Sequence, residues 1–161
     1  MIKHSVRFDA HVPPGWSKVD PAGAGEPNAS TVFLRDADNG SSRVPVITIT
    51  EHLFRSLDVD LKGLALEYTE RMRKKVIGLE IERSEYITRD APTEYGQEME
   101  FLLVSGVAAK LAHMTIAIPA VGGETCVLEI AFCAPKEEYS ACSGEFGEFL
   151  KSLRVVTDGA I

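Results

Sequence analysis

Along the first residues, Val6, Phe8, Ala10 and Val12 alternate with Ser5, Arg7, Asp9 and His11, which predicts a strand with one buried face, ended by Pro13-Pro14-Gly15. Residues 20–30 are rich in Pro, Gly and Ala and carry no periodicity, so they read as a loop. The β-branched runs 31–35 and 43–50 flank Asp38-Asn39-Gly40, a strong hairpin signal, and predict two antiparallel strands. Beyond a cap at Asp58 or Asp60, Leu61, Leu64, Ala65, Tyr68, Met72 and Val76 keep the i, i+3, i+4, i+7 spacing of one helix face. Glu67 with Arg71 and Glu70 with Lys74 are favourable i,i+4 pairs. The run Arg71, Arg73, Lys74, Lys75 suits a negative helix end, with Gly78 as the residue beyond it. That basic run reads as a dipole-matched, solvated last turn; the other reading is a patch for phosphate or an acidic partner.

Residues 79–88 alternate again, and three more strands follow Pro92, turning at Ser105-Gly106 and Gly122-Gly123. Pro135 opens a last helix with Tyr139, Cys142, Phe146, Phe149, Leu150 and Leu153 on one side, weakened in its middle by Gly144 and Gly147. If both turns are two-residue hairpins, cross-strand partners sum to 211 at the first and 245 at the second. Met99, Phe101, Leu103, Ala108, Ala112, Met114, Ile116, Val127 and Ala131 then share one face. Leu111, Leu128, Ile130 and Phe132 share the other with Glu98, Glu100 and His113. A strand apolar on both faces, as 124–133 is, must be covered on both, so helices are expected on each side of the sheet.

The composition changes this picture little. A chain of 161 residues with 45% hydrophobic and 25% charged residues fits one globular domain over residues 1–161. Its net charge of −7 disfavours a nucleic-acid partner. No apolar run reaches the ~20 residues that span a bilayer, so no membrane insertion is expected. The first residues do not have the pattern of a signal peptide, which gives the expectation of a cytoplasmic protein. Without secretion, the glycosylation-like triplets at Asn28 and Asn39 carry no meaning. Cys126 and Cys133 would lie about 23 Å apart on one strand, too far for a disulfide, so with Cys142 they are expected to be free buried thiols.

The candidate chemistry is thin. The register sets Glu98 opposite His113, a carboxylate beside an imidazole that could move a proton or simply form a cross-strand ion pair; with Glu100 it makes a polar surface site. No nucleophile or electrophile accompanies it, so no enzyme is expected. Asp36 to Gly40 resembles the start of a calcium loop, but Gly40 comes one residue early and Ile47 stands where a bidentate Glu is needed. Gly23-Ala24-Gly25 neither follows a clear strand nor opens a helix, no Gly-x-Ser-x-Gly elbow is present, and no Cys or His pair has metal-ligand spacing. No cofactor or metal is expected. Trp16, the single tryptophan, reads as a core plug.

Three patterns together resemble the PsbP-like superfamily, which includes the Ran-binding Mog protein, DcrB and LpqN lipoproteins and chaperones of type VI secretion effectors. They are Phe8-Asp9-Ala10-His11-Val12-Pro13-Pro14-Gly15-Trp16, the helix carrying Leu64 and Tyr68 after a β-hairpin, and Phe149-Leu150-Lys151-Ser152-Leu153-Arg154. The resemblance implies an α+β fold, a three-layer α/β/α sandwich around a largely antiparallel sheet of about six strands with a C-terminal helix. It also implies a non-enzymatic protein-binding or chaperone-like module with a protein partner, and a homodimer would suit that role. The alternative is a small-molecule carrier with its pocket between the sheet and the C-terminal helix, as in helix-grip folds.

Overall fold

The computed structural model describes residues 6–9, 11–24, 26, 28–35, 45–87, 93–120 and 122–157. The chain runs β1 (Val6–Asp9), β2 (Trp16–Val19), β3 (Thr31–Arg35), β4 (Val46–Phe54), α1 (Leu61–Arg73), β5 (Ile77–Tyr86), β6 (Glu94–Leu102), β7 (Ala108–Pro119), β8 (Thr125–Pro135), α2 (Lys136–Ser152) and β9 (Arg154–Thr157). Seven strands form one antiparallel sheet in the order β2-β3-β4-β8-β7-β6-β5, and β1 pairs with β9 in a separate ribbon. The Asp38-Asn39-Gly40 signal between β3 and β4 lies outside the described residues.

The largely apolar β8 sits at the centre of the sheet and is buried along nearly its whole length. Such a strand needs cover on both faces, and the two helices provide it. On one face, Ile47, Ile49, Leu128, Ile130 and Phe132 pack with Cys142, Phe146 and Phe149 of α2, and Trp16 closes the end of the cluster. Phe132 stacks on Phe146 with ring centroids 4.8 Å apart, each ring contributing roughly 2–3 kcal/mol by burial. Trp16 is buried, with its Nε1–H donating to Glu145 Oε2 at 2.7 Å. On the other face, α1 lies over Leu79, Met99, Leu111 and Ala131 towards its C-terminal end. Leu61 and Ala65 meet Tyr95 and Val127 towards its start.

Asp60 caps α1 by accepting from the Gly63 amide at 3.0 Å, as the acidic residue before the apolar run suggested. The helix ends earlier than expected, with Lys74 as its C-cap. Gly78, expected just beyond the helix, has φ +62° and falls inside β5, where the pairing with β6 slips between Ile77 and Glu80. Its left-handed backbone makes a bulge in an edge strand. α2 runs unbroken through Gly144 and Gly147.

The turns correct the expected register. Leu103 N donates to Val107 O and Gly106 N to Leu103 O, both at 2.8 Å, so the β6–β7 loop holds three residues, with Gly106 at φ +91°. Ala120 N likewise donates to Glu124 O at 2.9 Å across the next turn. Partners therefore sum to 210 and 244, one less than expected at each turn: Gln97 faces His113, and Ala109 faces Pro135. Because side chains alternate with period two, one residue inverts a strand. The two shifts cancel between β6 and β8, so those strands keep their expected faces and β7 alone is turned over.

Candidate functional site

The inversion of β7 dissolves the polar pair read from the sequence. Glu98 faces Ala112 and lies on the α2 side of the sheet, whereas His113 is wholly buried under α1. Glu100 stays with Glu98 on the α2 side, where it forms a 2.5 Å ion pair with Lys136. The three residues do not form one site.

His113 instead meets a carboxylate that sequence reasoning passed over. Glu129 is the single charged side chain in β8, and diagonal neighbours on the two flanking strands converge on it. His113 Nε2 from β7 lies 2.8 Å from Glu129 Oε1, His52 Nε2 from β4 lies 2.7 Å from Oε2, and Arg71 of α1 reaches Oε1 at 3.4 Å. Behind His113, the Gln97 side-chain amide donates to Ala65 O at 3.0 Å and reaches His113 Nδ1 at 3.1 Å. An amide N–H cannot accept, so Nδ1 is the acceptor and Nε2 carries the hydrogen given to Glu129. Thr69 Oγ1 completes the chain, within 3.0 Å of Ala65 O and 3.3 Å of Gln97 Oε1. Tyr68 lies flat on the His113 ring at 3.8 Å, and the Arg71 guanidinium sits 5.8 Å above Tyr68.

This network separates the charge states. Burial is the largest influence on Glu129 and pushes its carboxyl up. Hydrogen bonds from His113 and then His52 outweigh it and hold the group at about 2. Burial lowers the pKa of His113 more than Glu129 raises it, which keeps the imidazole neutral. The picture is an ionised, half-sealed carboxylate held by two imidazole N–H groups, with Arg71 as its counter-charge.

The same residues form one end of a cavity of about 930 Å³ between α1 and the sheet. Thr48, Thr50 and His52 from β4, Glu129 from β8 and Arg71 from α1 make its polar end. Val46, Met72, Val76, Phe101, Leu103 and Leu111 line the apolar remainder, and Ala24, Glu26, Asn28 and Ala29 lie along one side. Since Glu129 engages Nε2 of His52, Nδ1 of that part-exposed ring is left to hydrogen-bond a bound group. Cys133 also lines the cavity, but burial first, and then the charge of Glu26, pushes its thiol up to about 12, which keeps it a poor nucleophile. Among the described residues no group of His, Cys, Asp or Glu side chains is arranged to hold a metal ion. The cavity is not where the carrier alternative placed it: the α2 side is filled by aromatic packing, and the space lies under α1.

One charged residue in an otherwise apolar strand was the available signal for Glu129, because such a group is rarely buried unpaired. Its partners could not be named without the register.

A two-helix cover over an antiparallel sheet, ended by the C-terminal helix, defines the PsbP/LpqN type of fold, and solved structures of that type match the chain. LpqN of Mycobacterium tuberculosis, involved in cell envelope biogenesis, superposes with a TM-score of 0.63 at 16% identity, over 95% of this chain and 85% of that one. The cyanobacterial PsbP (CyanoP) of Synechocystis sp. PCC 6803 gives a TM-score of 0.56 at 14% identity, over 94% of this chain and 93% of that one. The fold expected from the sequence is therefore the fold observed, with seven strands in the main sheet in place of about six. By sequence, no protein-family model and no curated protein matches the chain.

Proposed function

We propose that this protein is a non-enzymatic binding domain whose ligand is a small amphipathic molecule held in the cavity under α1. The observation that carries this reading is the cavity itself. Its volume of about 930 Å³ lies within the usual ligand-pocket range of roughly 300–1,000 Å³, and it grades from a polar end at His52, Arg71 and Glu129 to an apolar end at Phe101 and Leu103. The space is open to solvent along one side, so a small molecule can enter it without unfolding the clusters beside it. Such a pocket fits a compact molecule better than the broad contact a protein partner needs, which favours the carrier alternative over the protein-binding expectation. The non-enzymatic part is supported by the separation of Glu98 from His113 and by the sealed state of His113 and Cys133.

The test is binding of an amphipathic fluorophore, 1-anilinonaphthalene-8-sulfonate, to the wild type and to Ala131→Phe, which fills the cavity from its floor. Saturable binding that the filled variant loses, while its circular dichroism spectrum is unchanged, is the expected result. Equal binding by both proteins would place the ligand elsewhere.

A further inference from the structure

The main sheet ends in two unlike edges. β2 has 4 residues, whereas β5 has 10, of which only Leu79 is buried, and no strand among the described residues pairs with its outer side. The ladder shows which backbone groups are free there. Ile87 N donates to Glu94 O at 3.0 Å, and bonded residues alternate along an antiparallel pair, so Glu85 and Arg83 also turn their backbone towards β6. Ser84 and Tyr86 therefore turn their N–H and C=O groups outward. Ile81, beyond the slip at Glu82, stands opposite Met99, whose own backbone serves β7, so Ile81 is turned outward as well.

The side chains of this edge divide cleanly between the two faces. On the α1 face stand Ile81 and Tyr86, 37% and 42% exposed, opposite the buried Met99 and Tyr95. On the α2 face stand Arg83 and Glu85, opposite Glu98 and Gly96; they pair with each other and are 64% and 50% exposed. Glu82, the extra residue at the slip, is on that face too and is held by Lys110 at 3.3 Å.

We infer that β5 pairs edge to edge with β5 of a second copy of this chain, antiparallel, about a two-fold axis at Ser84. Only outward residues can bond across the new ladder, and this register matches them: Ser84 meets Ser84 of the second copy, and each Ile81 meets the other copy's Tyr86. About six backbone hydrogen bonds result. The faces match as well. Arg83 comes opposite Glu85 of the second copy, twice, while on the other face the two exposed apolar pairs of Ile81 and Tyr86 cover each other. Other centres fail. One at Glu85 or at the slip sets like charges opposite each other, one at Ile81 runs into the irregular Gly78, and one at Tyr86 runs off the strand. Charges and bulges on an edge ordinarily guard it against pairing, but here the charges are self-complementary about Ser84. A contact confined to one strand is small beside the roughly 1,200 Å² of a stable interface, so the association is reversible and depends on concentration. It is independent of whether the cavity holds a ligand.

The experiment is sedimentation equilibrium of the full chain over a concentration series reaching the millimolar range, where a monomer–dimer equilibrium is expected. Ser84→Pro removes an outward N–H without taking a bond from the β5–β6 ladder, and should weaken the dimer about tenfold or more. Arg83→Glu and Glu85→Arg, each alone, set like charges opposite each other on both sides of the axis and should weaken it comparably, with unchanged circular dichroism because both side chains are exposed. Mixed in equal amounts, these two variants again set opposite charges against each other at both places, so the mixture should dimerise as the wild type does. A wild type that stays monomeric throughout overturns the inference. So does a dimer that all three variants leave intact, which would place the contact on another surface, or a mixture of the charge variants no more associated than either alone. A monomer that instead captures an extended peptide, and loses it in Ser84→Pro, would give the edge to a different protein.

Discussion

Replacing Glu129 by Gln changes one atom of a side chain that three others depend on. The carboxylate accepts from His113 at 2.8 Å and His52 at 2.7 Å and balances Arg71, and it is nearly buried. In the variant one oxygen becomes an NH2 donor. His113 cannot adapt, because the Gln97 amide holds its Nδ1 as an acceptor. His52 can change tautomer, so the new amide should turn its nitrogen towards His52, which saves both contacts and loses the charge. The magnitude follows from linkage. A folded value of about 2, against roughly 4.3 for free Glu, is worth about 3 kcal/mol. Because the folded value is depressed, that stability is fully present above about pH 4.3 and is lost as the pH falls towards 2. Urea unfolding of both proteins at pH 7 should therefore show Glu129→Gln less stable by about 2–3 kcal/mol, with the gap closing between pH 4 and pH 2.5. A variant as stable as the wild type at pH 7, or a gap that does not change with pH, would refute the ionised-carboxylate account.

Deleting Ser105 should shorten the β6–β7 loop and invert β7 relative to β6, driving His113 towards the α2 core; we expect loss of cooperative unfolding by circular dichroism, and a stable folded deletion would contradict the register argument. Cys126, Cys133 and Cys142 are free and buried, with burial raising each thiol, so Ellman's reagent should label them only upon denaturation. Trp16→Phe should cost about 1–2 kcal/mol in urea unfolding through the lost bond to Glu145, and acrylamide should quench the wild-type fluorescence only weakly.

Much of the architecture was legible in the residue order. Period-two alternation marked the strands and the 3.6 period marked both helices. The two-sided apolar character of residues 124–133 required a helix layer on each face, because a buried strand exposes nothing to water on either side. The start of α1 was readable too, since Asp60 is the residue type that satisfies free first-turn amides. The end of α1 was not: Gly78 suits a helix stop and a strand bulge equally, and only pairing with β6 chose the bulge.

Tertiary structure alone decided the site. Ser105-Gly106 is compatible with a two-residue or a three-residue turn, because either can use a glycine at positive φ; the local chemistry does not distinguish them. The choice is made by what each face of β7 then meets. In the observed register His113 is placed among Gln97, Tyr68 and Glu129, where every polar atom of its ring has a partner; one residue away it would enter the aromatic packing under α2 with none. Burying an unpaired imidazole is costly, and that cost, summed over the whole strand, selects the turn. The sequence carries each member of this cluster at a fixed position, but their meeting depends on three strands and a helix far apart along the chain, and no local pattern encodes it.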